Sequence, residues 1–390
     1  MSAQTVSAQT VSTQTSSAPA GASAPGSGHA RPLPVPRPAG FAFDAVTVDS
    51  ALDAFFAQGI ARSGAHGPHY EALWQSLRDA AQGGKRFRPA LVLGMYELLG
   101  GRDDELACTV GAAIELLHTA FVIHDDVIDH DDTRRGHPNV SGAFARRATA
   151  AGADEHGARN VGHAAGILAG DLALTGAARM ISMSTADNRT KTHLLDLLDH
   201  AIFVTASGEL ADVELSAGHG SVELSEILTM EAQKTAVYSF ELPLQAGAIL
   251  AGADTRTIEW LSHFGRQVGI AFQLLDDIQG VFGDARVTGK SVLTDLREGK
   301  ITPIIAHART TAAWATIRPV LGDPDVTEEQ AVKVREALEL SGTRAFIENL
   351  ADEYLGSARG LVEQLHLPPA FPGWFESITR TFIRESHEPV

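Results

Sequence analysis

The chain has 390 residues, 31 Lys and Arg against 48 Asp and Glu for a formal net charge of −17, and 44% hydrophobic residues. That is enough apolar material for one large core, and so negative a chain is not expected to bind nucleic acid or an anionic membrane surface through long-range attraction. A single cysteine, Cys108, excludes an intrachain disulfide and a cysteine-based zinc site and fits a reducing, cytoplasmic setting.

Residues 1–40 consist mostly of Ser, Thr, Ala, Gln, Pro and Gly, with the tandem SAQTV-SAQTV from Ser2 to Val11. Such a segment buries too little surface to offset its ordering entropy, so a disordered tail is expected there. It has no basic stretch leading into an apolar one and is not expected to act as a secretory leader. Residues 41–390 are expected to form a single all-α domain, because apolar residues recur at three- and four-residue spacing from Val46 onward and alternating runs are few. In chain order, Ala107–His124 predicts a helix buried along Val110, Ile114, Leu117 and Phe121. Ala148–Asn160 reads as a polar excursion between helices. Val161–Ile181, rich in Gly and Ala and interrupted by His163, Asp171 and Arg179, reads as a core helix and not as a membrane span. Further helices are predicted from Ser225 to Phe240 and from Thr257 to Phe282, followed by a loop punctuated by Gly283-Asp284 and Thr288-Gly289. Thr327-Glu328-Glu329-Gln330 has the spacing of a capping box and opens a helix toward Leu340 that Ser341-Gly342 stops.

The chemistry concentrates in His124–Asn139, HDDVIDHDDTRRGHPN. If the preceding helix continues through it, Asp125 and Asp129 project from one face with Asp126 alongside. Carboxylates crowded at a helix C-terminus oppose the macrodipole and one another, so they call for cations between them. Oxygen donors of this kind suit Mg²⁺, which takes a few carboxylates together with water and phosphate oxygens. A solvated acidic face is the plainer alternative. A similar pair, Asp276-Asp277, ends the apolar run FQLLDD, with Asp284 eight positions after Asp276. Two acidic helix ends in an all-α chain predict opposing walls of one cavity with a polyanion between them. Basic groups that match such a ligand stand at GGKRFRP (Gly83–Pro89), Arg134-Arg135, Lys234, Lys290 and Lys300. There is no Gly-x-x-x-x-Gly-Lys-Ser/Thr loop, so a P-loop nucleotide site is not indicated. His137, His163, His193 and His200 read as surface or hydrogen-bonded structural residues, although His193, Asp196 and His200 fall on one helix face.

Taken in order, GGKRFRP, HDDVIDHDDTRRG, KTAVYSF, FQLLDD and GDARVTGK resemble the motifs of the trans-isoprenyl diphosphate synthase (polyprenyl synthetase) family, over roughly Leu52 to Arg384. The resemblance implies the isoprenoid synthase fold, antiparallel helices around a deep central cavity, usually as a homodimer. It also implies head-to-tail condensation of isopentenyl diphosphate with a C5, C10 or C15 allylic diphosphate, with two or three Mg²⁺ ions per active site. Asp125, Asp126 and Asp129 match the first metal-binding motif, and Asp276 and Asp277 match the second. Lys85, Arg88, His118 and Arg135 match positions that grip isopentenyl diphosphate, whereas Arg134, Lys234 and Lys290 match positions facing the allylic diphosphate. Thr235, Tyr238, Phe272 and Gln273 match positions lining the reacting carbons, and Asp212, Asp295 and Lys300 match further polar positions. Catalysis is thereby implied for Asp125, Asp126, Lys234, Thr235, Gln273 and Asp276.

Two positions depart from the family pattern. Gly280 stands where the second motif normally has its third aspartate, and Gly208-Glu209 replaces Gly-Gln. In this family the residues four, five and eight before the first aspartate, here Phe121, Ala120 and Leu117, line the pocket that sets product length. A ring at Phe121 one turn below the motif favours a short product. C20 is the expectation, with C15 and then C25 or longer as alternatives. Three other readings use some of the same residues. The Asp276, Gly280, Asp284 spacing partly matches a class I terpene cyclase, and the missing third aspartate is compatible with a non-catalytic subunit of a heteromeric synthase. His124-Asp125 alone resembles the dyad of a metal-dependent phosphohydrolase.

Overall fold

Helices dominate the computed structural model, which describes residues 45–218, 223–283, 293–364 and 367–378. The first seven are α1 (Ala45–Ser63), α2 (Pro68–Ala81), α3 (Phe87–Leu98), α4 (Asp104–Ile128), α5 (Val140–Ala150), α6 (Glu155–Ser182) and α7 (Asn188–Ala217). Then α8 (Leu224–Glu231) runs into a π-helix (Ala232–Glu241) and α9 (Leu242–Leu250), and α10 (Thr255–Phe282) follows. Shorter helices and the longer Thr343–Gln364 complete the chain. The predicted tail lies outside the described residues.

The predicted helix Ala107–His124 is the middle of α4, extended at both ends. Asp103 caps it by accepting from the Leu106 N–H at 3.0 Å, with Asp104 and Glu105 in the electropositive first turn. Val110, Ile114, Leu116, Leu117 and Ala120 are fully buried, and α1, α3 and α6 pack around this helix. Although α4 and α6 are each long and apolar enough to cross a membrane, α4 is thus enclosed by its own fold. Its C-terminus closes in a Schellman arrangement: the Asp131 N–H reaches the Asp126 carbonyl at 2.9 Å and the His130 N–H reaches Val127 at 3.4 Å. His130 takes the left-handed position, φ 59°, that glycine usually fills. The chain then turns through a hairpin that pairs Thr133 with Pro138 and Arg134 with His137, the only strands among the described residues. Its tip, Arg135-Gly136, has positive φ at both residues, the requirement of a tight hairpin turn.

One sequence expectation needs correction. The polar excursion at Ala148–Asn160 is mostly helical, because α5 runs to Ala150 and Asp154 already caps α6 through the Gly157 N–H at 2.8 Å. In α6 the buried stripe is made of small residues, Ala165, Ala169, Ala173 and Ala177, whereas Ile167 and Leu168 are exposed. Small side chains let α4 and α6 approach closely, and the large ones are left outside.

The helix expected from Ser225 to Phe240 is present, but its second half is π-helical. This stretch is squeezed between α7 and α10. A Cβ on Gly208 would stand 2.4 Å from the Lys234 backbone nitrogen, and one on Gly269 would stand 2.5 Å from the Ala236 Cβ. Periodicity cannot separate α from π over ten residues, so this difference comes from the packing. The capping box at Thr327 is formed: Thr327 N–H donates to Gln330 Oε1 at 2.8 Å and Gln330 N–H to Thr327 Oγ1 at 3.3 Å, and Gly342 ends the helix with φ 74°.

Candidate active site

The end of α4 places Asp125, Asp126 and Asp129 within one helical turn, and three cations from three other segments meet them. Arg134, on the hairpin, donates from Nε to Asp126 Oδ1 at 2.8 Å, and its second nitrogen stands 3.5 Å from Asp125 Oδ2. Lys234, on the π-helix, lies 3.4 Å from Asp125 Oδ1, 3.1 Å from Glu209 and 2.6 Å from Asp212. Lys300 donates to Asp129 Oδ2 at 2.8 Å and stands 3.1 Å from Glu298. Burial opposes the charge on Lys234 and Lys300, but the surrounding carboxylates outweigh it and raise both ammonium pKa values. Glu209, one of the two departures from the family pattern, is therefore a working partner of Lys234. Gly208 before it admits the π-helix backbone, so Gly208→Ala is expected to cost about 1–3 kcal/mol of stability. Thermal unfolding would read that loss.

On the other side of the hairpin, Arg135 lies beside the Gly83-Gly84 turn, with guanidinium nitrogens 3.4 and 3.6 Å from where Cβ atoms on those glycines would be. Arg88 donates to Tyr238 Oη at 3.2 Å and to Ser239 Oγ at 2.8 Å and lies over the Tyr238 ring. His118 stacks on the same ring. Burial, and then Arg88, Arg134, Arg135 and Arg86, hold the His118 imidazole well below its usual pKa, so it is neutral at pH 7. Arg88 and Arg135 of the predicted clamp are thus among the charged groups that act on His118, together with Arg134 and Arg86. Lys85 is exposed at the entrance to α3. Its neighbour Arg86 serves the fold: it is held by Asp49 at 2.7 Å and by Glu115 at 3.0 Å, which ties α1 to α4.

The second wall is α10. Gln273 donates to Asp277 Oδ1 at 2.9 Å, while Phe272 stacks on Phe87 and lies tilted against Phe240. Asp277 is buried and Asp276 is exposed. Near them stands Glu231, the last residue of α8, to which the motifs assign no role; its signal in the sequence is that it is the lone acid in ILTMEAQKTAVYSF. Burial, and then the hydrogen-bonded Asp277, push the Glu231 carboxyl well above the usual range, with Asp212 and Asp276 adding to it. The shared neighbour Asp212 links the walls, since it also binds Lys234, which touches Asp125. Thr235 is partly buried one residue beyond Lys234. Asp284 and Lys290 lie outside the described residues, as does the side chain of Asp295.

Below the first wall, Phe121 is partly buried with its ring edge-on to Tyr238, centroids 4.9 Å apart, whereas Leu117 and Ala120 are fully buried in the core.

The donor set fits divalent cations bound together with a polyanion. Among the described residues no three His, Cys, Asp or Glu side chains converge on one point. Each wall therefore offers a few hard oxygens and leaves the remaining coordination to water and phosphate. Burial raises the Asp126 pKa to about 6 even with Arg134 against it. A carboxyl whose folded pKa exceeds its unfolded one binds more protons folded, so its contribution favours folding below pH about 4 and is lost as pH rises through about 6. Metal-free Asp126→Asn is therefore expected to be more stable than the unmodified protein above pH 6, by up to about 3 kcal/mol. That gain should vanish below pH about 4 in paired thermal melts.

Residues 70–340 match the family model of the polyprenyl synthetases. The geranylgeranyl diphosphate synthase of Sulfolobus acidocaldarius is 30% identical over 309 residues, covering 78% of this chain and 86% of the relative. The geranylfarnesyl diphosphate synthase of Aeropyrum pernix is 31% identical over 294 residues, 74% of this chain and 86% of the relative. Among solved structures, the geranylgeranyl pyrophosphate synthase of Corynebacterium glutamicum complexed with isoprenyl diphosphate and magnesium superimposes with a TM-score of 0.79 at 26% identity, covering 88% of this chain and 100% of that one.

Proposed function

Because the chain belongs to the polyprenyl synthetase family and is a prenyltransferase with the all-α isoprenoid synthase fold, we propose that it condenses isopentenyl diphosphate head-to-tail with C5, C10 and C15 allylic diphosphates and stops at C20. The observation that carries this reading is the Lys234 node: one ammonium joins Asp125 of the first wall to Asp212, which neighbours the second. Asp125, Asp126 and Asp129, with Asp276 and Asp277, would hold Mg²⁺, which would neutralise charge on a departing diphosphate. Arg134, Lys234 and Lys300 hold the allylic diphosphate in place, so the negative charge that develops as the C–O bond breaks meets cations already oriented. Lys85, Arg88 and Arg135 hold the second diphosphate. Neutral His118 adds a polar contact without capturing the carbocation. Thr235, Tyr238, Phe272 and Gln273 line the reacting carbons with weakly nucleophilic hydroxyl, amide and aromatic groups, which stabilise an allylic cation. No side-chain base is assigned for the final proton.

A homodimer in the cytoplasm completes the reading; exposed Ile167 and Leu168 on α6 and Phe203 and Leu210 on α7 supply an apolar face for a second copy. The test is incubation of the protein with Mg²⁺, labelled isopentenyl diphosphate and each primer separately, with mass analysis of the hydrolysed products. A dominant C20 alcohol is expected. A C15 or a longer product would remove only the chain-length assignment, whereas no consumption of isopentenyl diphosphate with any primer would overturn the catalytic reading.

A further inference from the structure

Arg86 sits inside GGKRFRP, between Lys85 and Arg88, and is the only non-glycine residue of Gly83–Pro89 with positive φ, at φ 50° and ψ 38°. Glycine takes this left-handed conformation without steric cost, whereas a residue with a Cβ holds it only where its surroundings over-determine it. The guanidinium does so by gathering acceptors from three elements. Nε donates to Asp49 Oδ1 on α1 at 2.7 Å, and Nη1 donates to the Ala81 carbonyl at the end of α2 and to Glu115 Oε1 on α4, each at 3.0 Å. The Arg86 and Glu115 side chains are 16% and 8% exposed, so theirs is an interior ion pair.

The anchored bend carries predicted clamp residues on both sides. Before it, Gly83 and Gly84 also take positive φ and meet the Arg135 guanidinium; after it, α3 presents Arg88 to Tyr238 and Ser239. Glu115 lies three residues before His118 on α4, so the same ion pair ties the bend to the helix face that carries His118. Resting on the reading of Lys85, Arg88, His118 and Arg135 as the grip on isopentenyl diphosphate, we propose that Arg86 is a positioning residue for that grip. Without touching the substrate, it holds through Asp49, Ala81 and Glu115 the bend from which Lys85 and Arg88 diverge. The allylic side should be spared, because Arg134 and Lys234 stand on the hairpin and the π-helix, away from these three anchors.

The test compares the KM for isopentenyl diphosphate with that for the C15 primer, and measures the Kd of isopentenyl diphosphate alone by calorimetry, with circular dichroism and thermal melts as the folding control. Arg86→Gln is expected to raise both isopentenyl diphosphate constants about tenfold and the primer KM less than about twofold. Breaking an interior pair destabilises the chain, so Asp49→Ala, at a half-exposed carboxylate on α1, supplies a variant that leaves Glu115 paired. It should raise the same two constants about threefold. The double variant should match Arg86→Gln alone, because both changes act through one guanidinium. A residue that serves stability only would lower the melting temperature and move the two KM values together or not at all. A change in the isopentenyl diphosphate constants below about twofold in folded Arg86→Gln or in Asp49→Ala, or an equal rise for both substrates, overturns the proposal. Either result, obtained beside an unmodified chain that condenses isopentenyl diphosphate, leaves the catalytic reading standing. An unmodified chain that neither binds nor condenses it removes that reading and this proposal with it.

Discussion

Asp125→Ala is expected to lower kcat for condensation by about 10²- to 10³-fold while leaving the fold intact. Asp125 is the point at which two cations proposed to hold the allylic diphosphate meet the end of α4, with Arg134 at 3.5 Å and Lys234 at 3.4 Å. Removing its carboxylate deletes a proposed metal donor and releases Lys234 from the first wall, leaving it to Glu209 and Asp212. Both effects act on charge that develops only as the C–O bond breaks, so the loss belongs in kcat more than in KM. The side chain is 30% exposed and contributes little to the core, so melting temperature should move little. A non-catalytic subunit would tolerate the change. A fall in kcat of less than about tenfold, with folding confirmed, would show that the first motif is not the wall that carries leaving-group charge.

Phe121→Ala is expected to move the product from C20 to C25 and longer. A helix rises about 5.4 Å per turn, so in the proposed function a side chain four residues before Asp125 stands one turn below the reacting end of the growing chain. The Phe121 ring stands edge-on to Tyr238 at 4.9 Å and is only partly buried, while Leu117 and Ala120 are already buried in the core, so of the three it is the side chain proposed to close that path. Truncation removes the floor and leaves the diphosphate clamps untouched, so turnover of the C15 primer should persist while the product mass increases. The stability cost should fall short of the about 3–5 kcal/mol typical of a fully buried Phe, because Phe121 is only partly buried. Chromatography of the dephosphorylated products decides the matter, and retention of C20 as the dominant product would place the floor elsewhere.

Much of the molecule is readable from local chemistry. The helix through Ala107–His124, the capping box at Thr327 and the Gly283 end of α10 follow from apolar spacing and terminal residues, since these report what a single segment prefers. The site's composition was equally accessible: carboxylate pairs at helix ends and Arg and Lys clusters keep their meaning wherever the chain takes them. The π-helix, by contrast, has the same apolar spacing as the α-helix before it, and Ala148–Asn160 looks like a loop because its outward faces are polar.

Pairing is a property of the folded chain. Lys234 finds Asp125 more than a hundred positions away because Gly208 and Gly269 let α7 and α10 close on the π-helix. Lys300 reaches Asp129 across 171 positions of sequence, and Glu231 neighbours Asp277 only through the packing of α8 against α10. Residue type, helical period and motif order are local quantities and were present in the chain itself. Burial depth, and with it the raised pKa of Asp126 and the neutrality of His118, depends on which groups remote segments bring within a few ångströms, and only tertiary packing sets that distance.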